Sequence, residues 1–97
     1  MRYEVVLAPQ AFEDFRRMTA RVRAIVRDGI EAHLRHEPMK ERRSRIKRLR
    51  GVNRPQFRLR LGDYRVFYDV VENRVEILAI LAKSAAAAWL EQEGQRS

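Results

Sequence analysis

The sequence predicts an α+β fold. An antiparallel β-sheet, made of an N-terminal strand plus a three-strand meander, packs on an N-terminal helix pair, and a short C-terminal helix follows, in the order β-α-α-β-β-β-α. Three observations predict it. Apolar residues recur at spacings of three and four from Phe12 to Leu34, the period of a helix face. From Phe57 to Leu81 every second residue of each strand is apolar, the period of a strand, so that Phe57, Leu59, Leu61, Tyr64, Val66, Tyr68, Val70, Val75, Ile77, Ala79 and Leu81 share one face. The dipeptides Gly62-Asp63 and Glu72-Asn73 cut that second region into hairpins. At 97 residues the chain is expected to form one domain, 1–97, with a modest core.

The elements follow in order. "RYEVVL", residues 2–7, is a first strand, with Tyr3, Val5 and Leu7 alternating against Arg2, Glu4 and Val6. Pro9 suits the first turn of a helix, where its missing N–H costs nothing. Phe12, Phe15, Met18, Val22, Ile25, Val26, Ile30 and Leu34 then form the helical stripe. One continuous helix would be long for so small a domain, so a break is expected near Thr19, giving an antiparallel pair. Glu37-Pro38 ends the second helix, because the residue before proline is pushed out of the helical region. "MKERRSRIKRLR", residues 39–50, is either a basic helix turn or an extended connection. Residues 51–55 form a turn, the meander follows, and "RVEILAIL", residues 74–81, completes it. Ser84 is a good N-cap for the tail, its alanines favour helix, and Gly94 is a natural stop.

Counting outward from Gly62-Asp63 sets the register. Leu61 faces Tyr64, Arg60 faces Arg65, Leu59 faces Val66 and Arg58 faces Phe67. Through the second turn, Val70 faces Val75, Asp69 faces Glu76, Tyr68 faces Ile77, Phe67 faces Leu78, Val66 faces Ala79 and Arg65 faces Ile80. One face is then apolar throughout and makes the core. The other carries Arg58, Arg60, Arg65, Phe67, Asp69, Glu76, Leu78 and Ile80. Its apolar strip, Phe67, Leu78 and Ile80, needs the cover that Trp89 and Leu90 of the last helix can supply. Like charges directly opposite each other destabilise a sheet, so the Arg60–Arg65 pair demands an explanation. Either the register is wrong, or each arginine reaches water with Asp63 or Asp69 as partner, or an anion belongs between them. Lys83 leaves the last strand at the same end, so Arg58, Arg60, Arg65 and Lys83 are expected around one basic concavity.

Net charge is +8, and residues 40–65 hold 11 basic and 2 acidic side chains, which leaves the rest of the chain at −1. A concentrated basic segment points to a polyanion, most often nucleic acid, against a solubilising surface or a dock for an acidic protein. Lys47, Arg48, Arg50 and Arg54 are the candidate RNA- or phosphate-binding residues of that segment. There are no cysteines, which excludes a disulfide framework and fits a reducing cytoplasm. The apolar run at the N-terminus is too short for a signal peptide or a membrane span. His33 and His36 have no cysteine and only Glu37 beside them, so they are expected as surface or boundary residues rather than metal ligands. Asp63 is expected as a turn former or as an orienter of Arg65, and Trp89 as a packing residue. No P-loop, dinucleotide motif or nucleophile–histidine–acid set is visible.

"IKRLRG", "FRLRLGDYRVFYDV" and "VEILAILAKSAAAAWL" together resemble the RelE/ParE superfamily of bacterial toxins. The resemblance implies the toxin half of a type II toxin–antitoxin pair, working without metal or cofactor in the cytoplasm. RelE-like members cut mRNA in the ribosomal A site, where basic residues hold the scissile phosphate while the ribose 2′-OH attacks it. The family's alternating basic pair falls on Arg58 and Arg60, and the arginine after its turn on Arg65. These positions and Lys83 are the candidate catalytic residues. Two positions depart from the nuclease pattern: Lys83-Ser84 stands where an arginine usually follows the last strand, and Trp89-Leu90 replaces a tyrosine-bearing segment. Arginine cannot accept a proton at ordinary pH, so the pattern leaves the general base open, with Lys83 a candidate only at a strongly lowered pKa. The alternatives are a ParE-like gyrase inhibitor and an inactive relative that still binds antitoxin. The expected partners are an acidic, amphipathic antitoxin segment and mRNA on the ribosome. The antitoxin is expected on the helix pair, across the sheet, or both, where it can displace the last helix from Phe67, Leu78 and Ile80.

Overall fold

The computed structural model describes residues 2–96. β1 (Glu4–Leu7) leads into α1 (Pro9–Arg16) and α2 (Ala20–Leu34). Thr19 is the N-cap of α2, and its hydroxyl accepts the Val22 N–H at 3.2 Å, so the helical stripe breaks at the expected residue. β2 (Ile46–Arg48), β3 (Val52–Arg54), β4 (Phe57–Leu61), β5 (Tyr64–Val71) and β6 (Arg74–Ala82) follow, then α3 (Lys83–Glu93) and β7 (Gln95–Arg96). The main sheet runs β1-β6-β5-β4-β2, with the expected antiparallel meander at its centre.

Both edges of that sheet depart from the expectation. β1 lies parallel to β6, with Val5 opposite Val75, so the sheet is mixed rather than antiparallel. β1 is short and β6 outruns it, and the parallel direction lets α1 continue along the uncovered part of β6. There the Asp14 carboxylate accepts the Ile80 N–H at 2.9 Å, satisfying an edge donor that no strand reaches. At the other edge, the extended alternative for residues 39–50 holds, and it supplies β2. Ile46, opposite Leu59, is 1% exposed, and burying this one side chain anchors an otherwise polar strand. Residues 52–54, expected in a turn, form β3 and pair with β7 in a small second sheet. Gly51, at φ 73°, makes the turn that precedes it.

The first hairpin has the counted register at every pair. Gly62 takes φ 59° there, the left-handed conformation that only glycine adopts without cost. The second hairpin follows the count from Val70–Val75 to Tyr68–Ile77 and then slips, because Leu78 is an extra residue in β6. Beyond it Phe67 faces Ala79, Val66 faces Ile80 and Arg65 faces Leu81. Ile80 therefore belongs to the core, at 2% exposure, and not to the outer strip where the count placed it. The bulge puts the larger side chain under the helices and the smaller Ala79 beside Phe67, which buries more apolar surface.

The core joins Ala11, Val26, Ile30 and Leu34 of the helices to Phe57, Leu59, Val66, Tyr68 and Ile77 of the sheet. Phe12 and Ile25, also in the helical stripe, stay 55% and 48% exposed. α3 starts at Lys83, not at a Ser84 cap, because the Lys83 N–H continues the sheet ladder to the Asp63 carbonyl at 2.7 Å. Trp89 fastens α3 to the outer face. Its ring stacks on Phe67 at 5.0 Å, and its Nε1–H donates to Gln10 Oε1 at 3.1 Å. Trp89→Ala is expected to cost about 2 kcal/mol and to release α3 first. Amide hydrogen exchange should rise throughout 83–93 while β5 stays protected, and unchanged protection of α3 would contradict this anchoring.

Candidate anion-binding site

The turn end of the outer sheet face opens into a cavity of about 580 Å³. Arg58, Arg60 and Arg65 form its floor, and Lys47 joins them from β2 because the register sets it opposite Arg58. Glu41, Arg42, Arg43 and Ser44 form the facing wall. That wall is a tight turn. The Arg42 N–H donates to the Ile46 carbonyl at 3.0 Å, the Ile46 N–H returns to the Arg42 carbonyl at 3.2 Å, and Ser44 takes φ 61°. Two bonds attach the turn to β4: Arg60 N–H to Arg45 O at 2.8 Å, and Arg45 Nη1 to Arg60 O at 3.0 Å. The base of the wall is tied to the core through the buried Tyr68 hydroxyl, which donates to the Pro38 carbonyl at 2.6 Å.

The floor is electrostatically uncompensated. Among the described residues, none of Lys47, Arg58, Arg60 and Arg65 makes an ion pair. Arg65 spends one nitrogen on backbone, donating to Gly62 O at 2.8 Å and Tyr64 O at 2.9 Å. Arg58 Nε is buried with no hydrogen-bond partner. Burial, then Arg65 and Arg60, push the Arg58 guanidinium below the ordinary arginine range. Asp63 and Asp69 do not relieve this cluster. Asp69 lies toward the other end of the face, 6% exposed, where it accepts the Gln56 N–H at 2.8 Å and pairs with Arg54 Nε at 3.1 Å. Burial is the main influence that holds its carboxyl above the usual range.

Several expected site residues lie elsewhere. Lys83 lines a separate recess with Asp63, Ala82 and Ser84, because β6 gives way to α3 at that residue and its side chain leaves the sheet. Arg48 faces the other side of β2, with its guanidinium 4.7 Å over the Phe57 ring. Arg54 is committed to Asp69 and, at 4.0 Å, to Glu76. Arg50 is exposed and does not line the cavity. Phe67, 1% exposed, lies under Trp89, while Leu78 and Leu90 are half-buried and Ile80 is in the core. His33 is half-buried, and burial followed by Arg45 and Arg42 lowers its pKa, so it adds no charge to the site at neutral pH. The residues missed in the sequence are Glu41, Arg42, Arg43 and Ser44. Their only local signal is the start of the basic segment, since nothing nearby in sequence specifies the turn that aims them at Arg58.

Residues 5–86 match the family model described as the ParE toxin of type II toxin–antitoxin systems, parDE. A chain of the toxin–antitoxin complex RelBE2 from Mycobacterium tuberculosis is similar at 27% identity and TM-score 0.68, covering 84% of this chain and 99% of that one. The archaeal RelE–RelB complex from Pyrococcus horikoshii OT3 is similar in fold at 24% identity and TM-score 0.68, covering 86% and 97%. A mutant of the E. coli toxin RelE in the free state is similar in fold at 21% identity and TM-score 0.68, covering 96% and 94%. No curated protein matches the chain.

Proposed function

The chain belongs to the ParE toxin family of type II toxin–antitoxin systems, and from that premise we propose that it is a ribosome-dependent mRNA endonuclease of RelE type. The observation that carries this reading is the unpartnered Arg58 Nε beside Arg60 and Arg65 in one cavity. Keeping guanidinium groups close together with no carboxylate paired to any of them is unfavourable in the free protein. A phosphate turns the same arrangement into charge-assisted, bidentate binding. Charge develops on the phosphoryl oxygens as a 2′-oxygen attacks, so fixed guanidinium groups stabilise the transition state more than the ground state. Lys47 on the floor and Arg43 on the facing wall extend the positive field along the incoming strand.

The test is mRNA cleavage on translating ribosomes. The wild type should cut, and Arg65→Ala should lose about 100-fold or more of the rate. An intact message with both proteins would refute the nuclease reading. The second reading, a gyrase inhibitor, is favoured by the family model that matches. Inhibition of DNA supercoiling that survives Arg60→Ala would select it.

In either reading the partner that restrains the protein is an antitoxin with an acidic, amphipathic segment. An apolar groove of about 160 Å³ beside β1, lined by Val5, Leu7, Phe15 and Ile30, suits the apolar side of such a segment; at its rim Arg35 is already paired with Glu31 at 2.7 Å, which leaves Arg27 to meet an acidic group. The Phe67–Trp89 contact is the second place for it, where it would compete with α3. No helix among the described residues is long and apolar enough to cross a membrane.

A further inference from the structure

Glu41 is the one carboxylate among the described residues that line the cavity. It forms no ion pair with another described residue, although Arg42, Arg43, Lys47, Arg58, Arg60 and Arg65 line the same space. Its neighbour Arg42 turns instead to Glu37, at 3.1 Å. One oxygen of Glu41 is fixed: Oε1 accepts the Arg48 N–H at 3.0 Å, which ties the carboxylate to β2 beside Lys47. The second oxygen, Oε2, has no hydrogen-bond or ion-pair partner among the described residues, and Glu41 lines the cavity. A negative charge in a cavity that takes a polyanion weakens binding, so its presence there calls for a role that a cation cannot fill.

We infer that Glu41 is the general base of the RNA cleavage proposed above, and the inference rests on that reading. The guanidinium groups of the floor hold the phosphate and cannot accept a proton. The free oxygen of Glu41 takes the proton of the ribose 2′-OH as the 2′-oxygen forms a bond to phosphorus. The P–O5′ bond breaks, its electron pair leaves on the 5′-oxygen, and that oxygen is protonated by water. The products are a 2′,3′-cyclic phosphate and a 5′-hydroxyl end, and the Glu41 carboxyl returns its proton to solvent. No oxidant, reductant or further reactant is needed.

The test compares wild type, Glu41→Gln and Glu41→Asp on translating ribosomes, with RNA affinity measured separately on a non-cleavable 2′-deoxy message. Gln keeps an oxygen for the Arg48 N–H, so β2 stays in place and only proton acceptance and charge are lost. Cleavage by Glu41→Gln should fall about 100-fold or more, while its affinity for the message rises or holds. Glu41→Asp should recover part of the rate. A spectator carboxylate predicts the opposite, with tighter binding and undiminished or faster cutting by Glu41→Gln, and that result overturns the assignment. If the wild type itself leaves the message intact, the nuclease reading fails first and takes this assignment with it.

Discussion

Arg58→Met is expected to stabilise the free protein and to disable its anion site in one substitution. The methionine keeps the apolar stem of the arginine against the sheet and removes a charge that burial, Arg65 and Arg60 all oppose. It also removes the buried, unpartnered Nε. An unsatisfied polar group of this kind costs about 1–3 kcal/mol, and partial exposure of the guanidinium argues for the lower end. A gain of about 1 kcal/mol should raise Tm by about 4–8 °C in a domain of this size. Cleavage should fall about 100-fold or more, since one of the three floor guanidiniums is gone. Inorganic phosphate separates the two effects: it should raise the Tm of the wild type and leave that of the variant nearly unmoved. A variant less stable than wild type, with an undiminished response to phosphate, would show that Arg58 is paid for inside the protein and not held ready for an anion.

Tyr68→Phe should have the largest effect on stability of any single-atom deletion near the site. The Tyr68 ring is fully buried and stacks on Phe57 with centroids 5.4 Å apart, and the variant keeps that packing. What it loses is the 2.6 Å bond to the Pro38 carbonyl, which is left unsatisfied at the base of the cavity wall. The expected cost is about 1–3 kcal/mol. Burial pushes the Tyr68 hydroxyl well above its ordinary range, so it is a donor at neutral pH. This bond ties the base of the wall formed by residues 41–44 to the core, beside the bonds that hold the turn to β2 and β4, so phosphate affinity should fall with stability. Urea denaturation and a phosphate titration read the two quantities. A change below about 0.5 kcal/mol would mean that Pro38 does not depend on Tyr68.

The Arg60–Arg65 juxtaposition was legible from a count of two residues around Gly62-Asp63, because a tight hairpin fixes its register locally. The break at Thr19 was legible for a similar reason, since capping is decided within one helical turn. Lys83 was misplaced because counting cannot show where a strand hands over to a helix. Glu41 is not legible locally because the turn that presents it carries no turn-forming dipeptide, and its placement depends on added bonds between Arg45 and Arg60 of β4.

By itself the sequence determined the order of β1, the helix pair, the meander and the last helix, the two-residue turns, the apolar face of the meander and the concentration of positive charge in one segment. These depend on periodicity and on backbone preferences that act over a few residues. Only the tertiary structure decided the parallel edge at β1, the Leu78 bulge that sends Ile80 inward, the pairing of β3 with β7, and the approach of residues 41–44 to Arg58. Each of these is settled by competition between distant segments for the same buried surface or the same backbone donors. Local sequence holds no record of which segment wins.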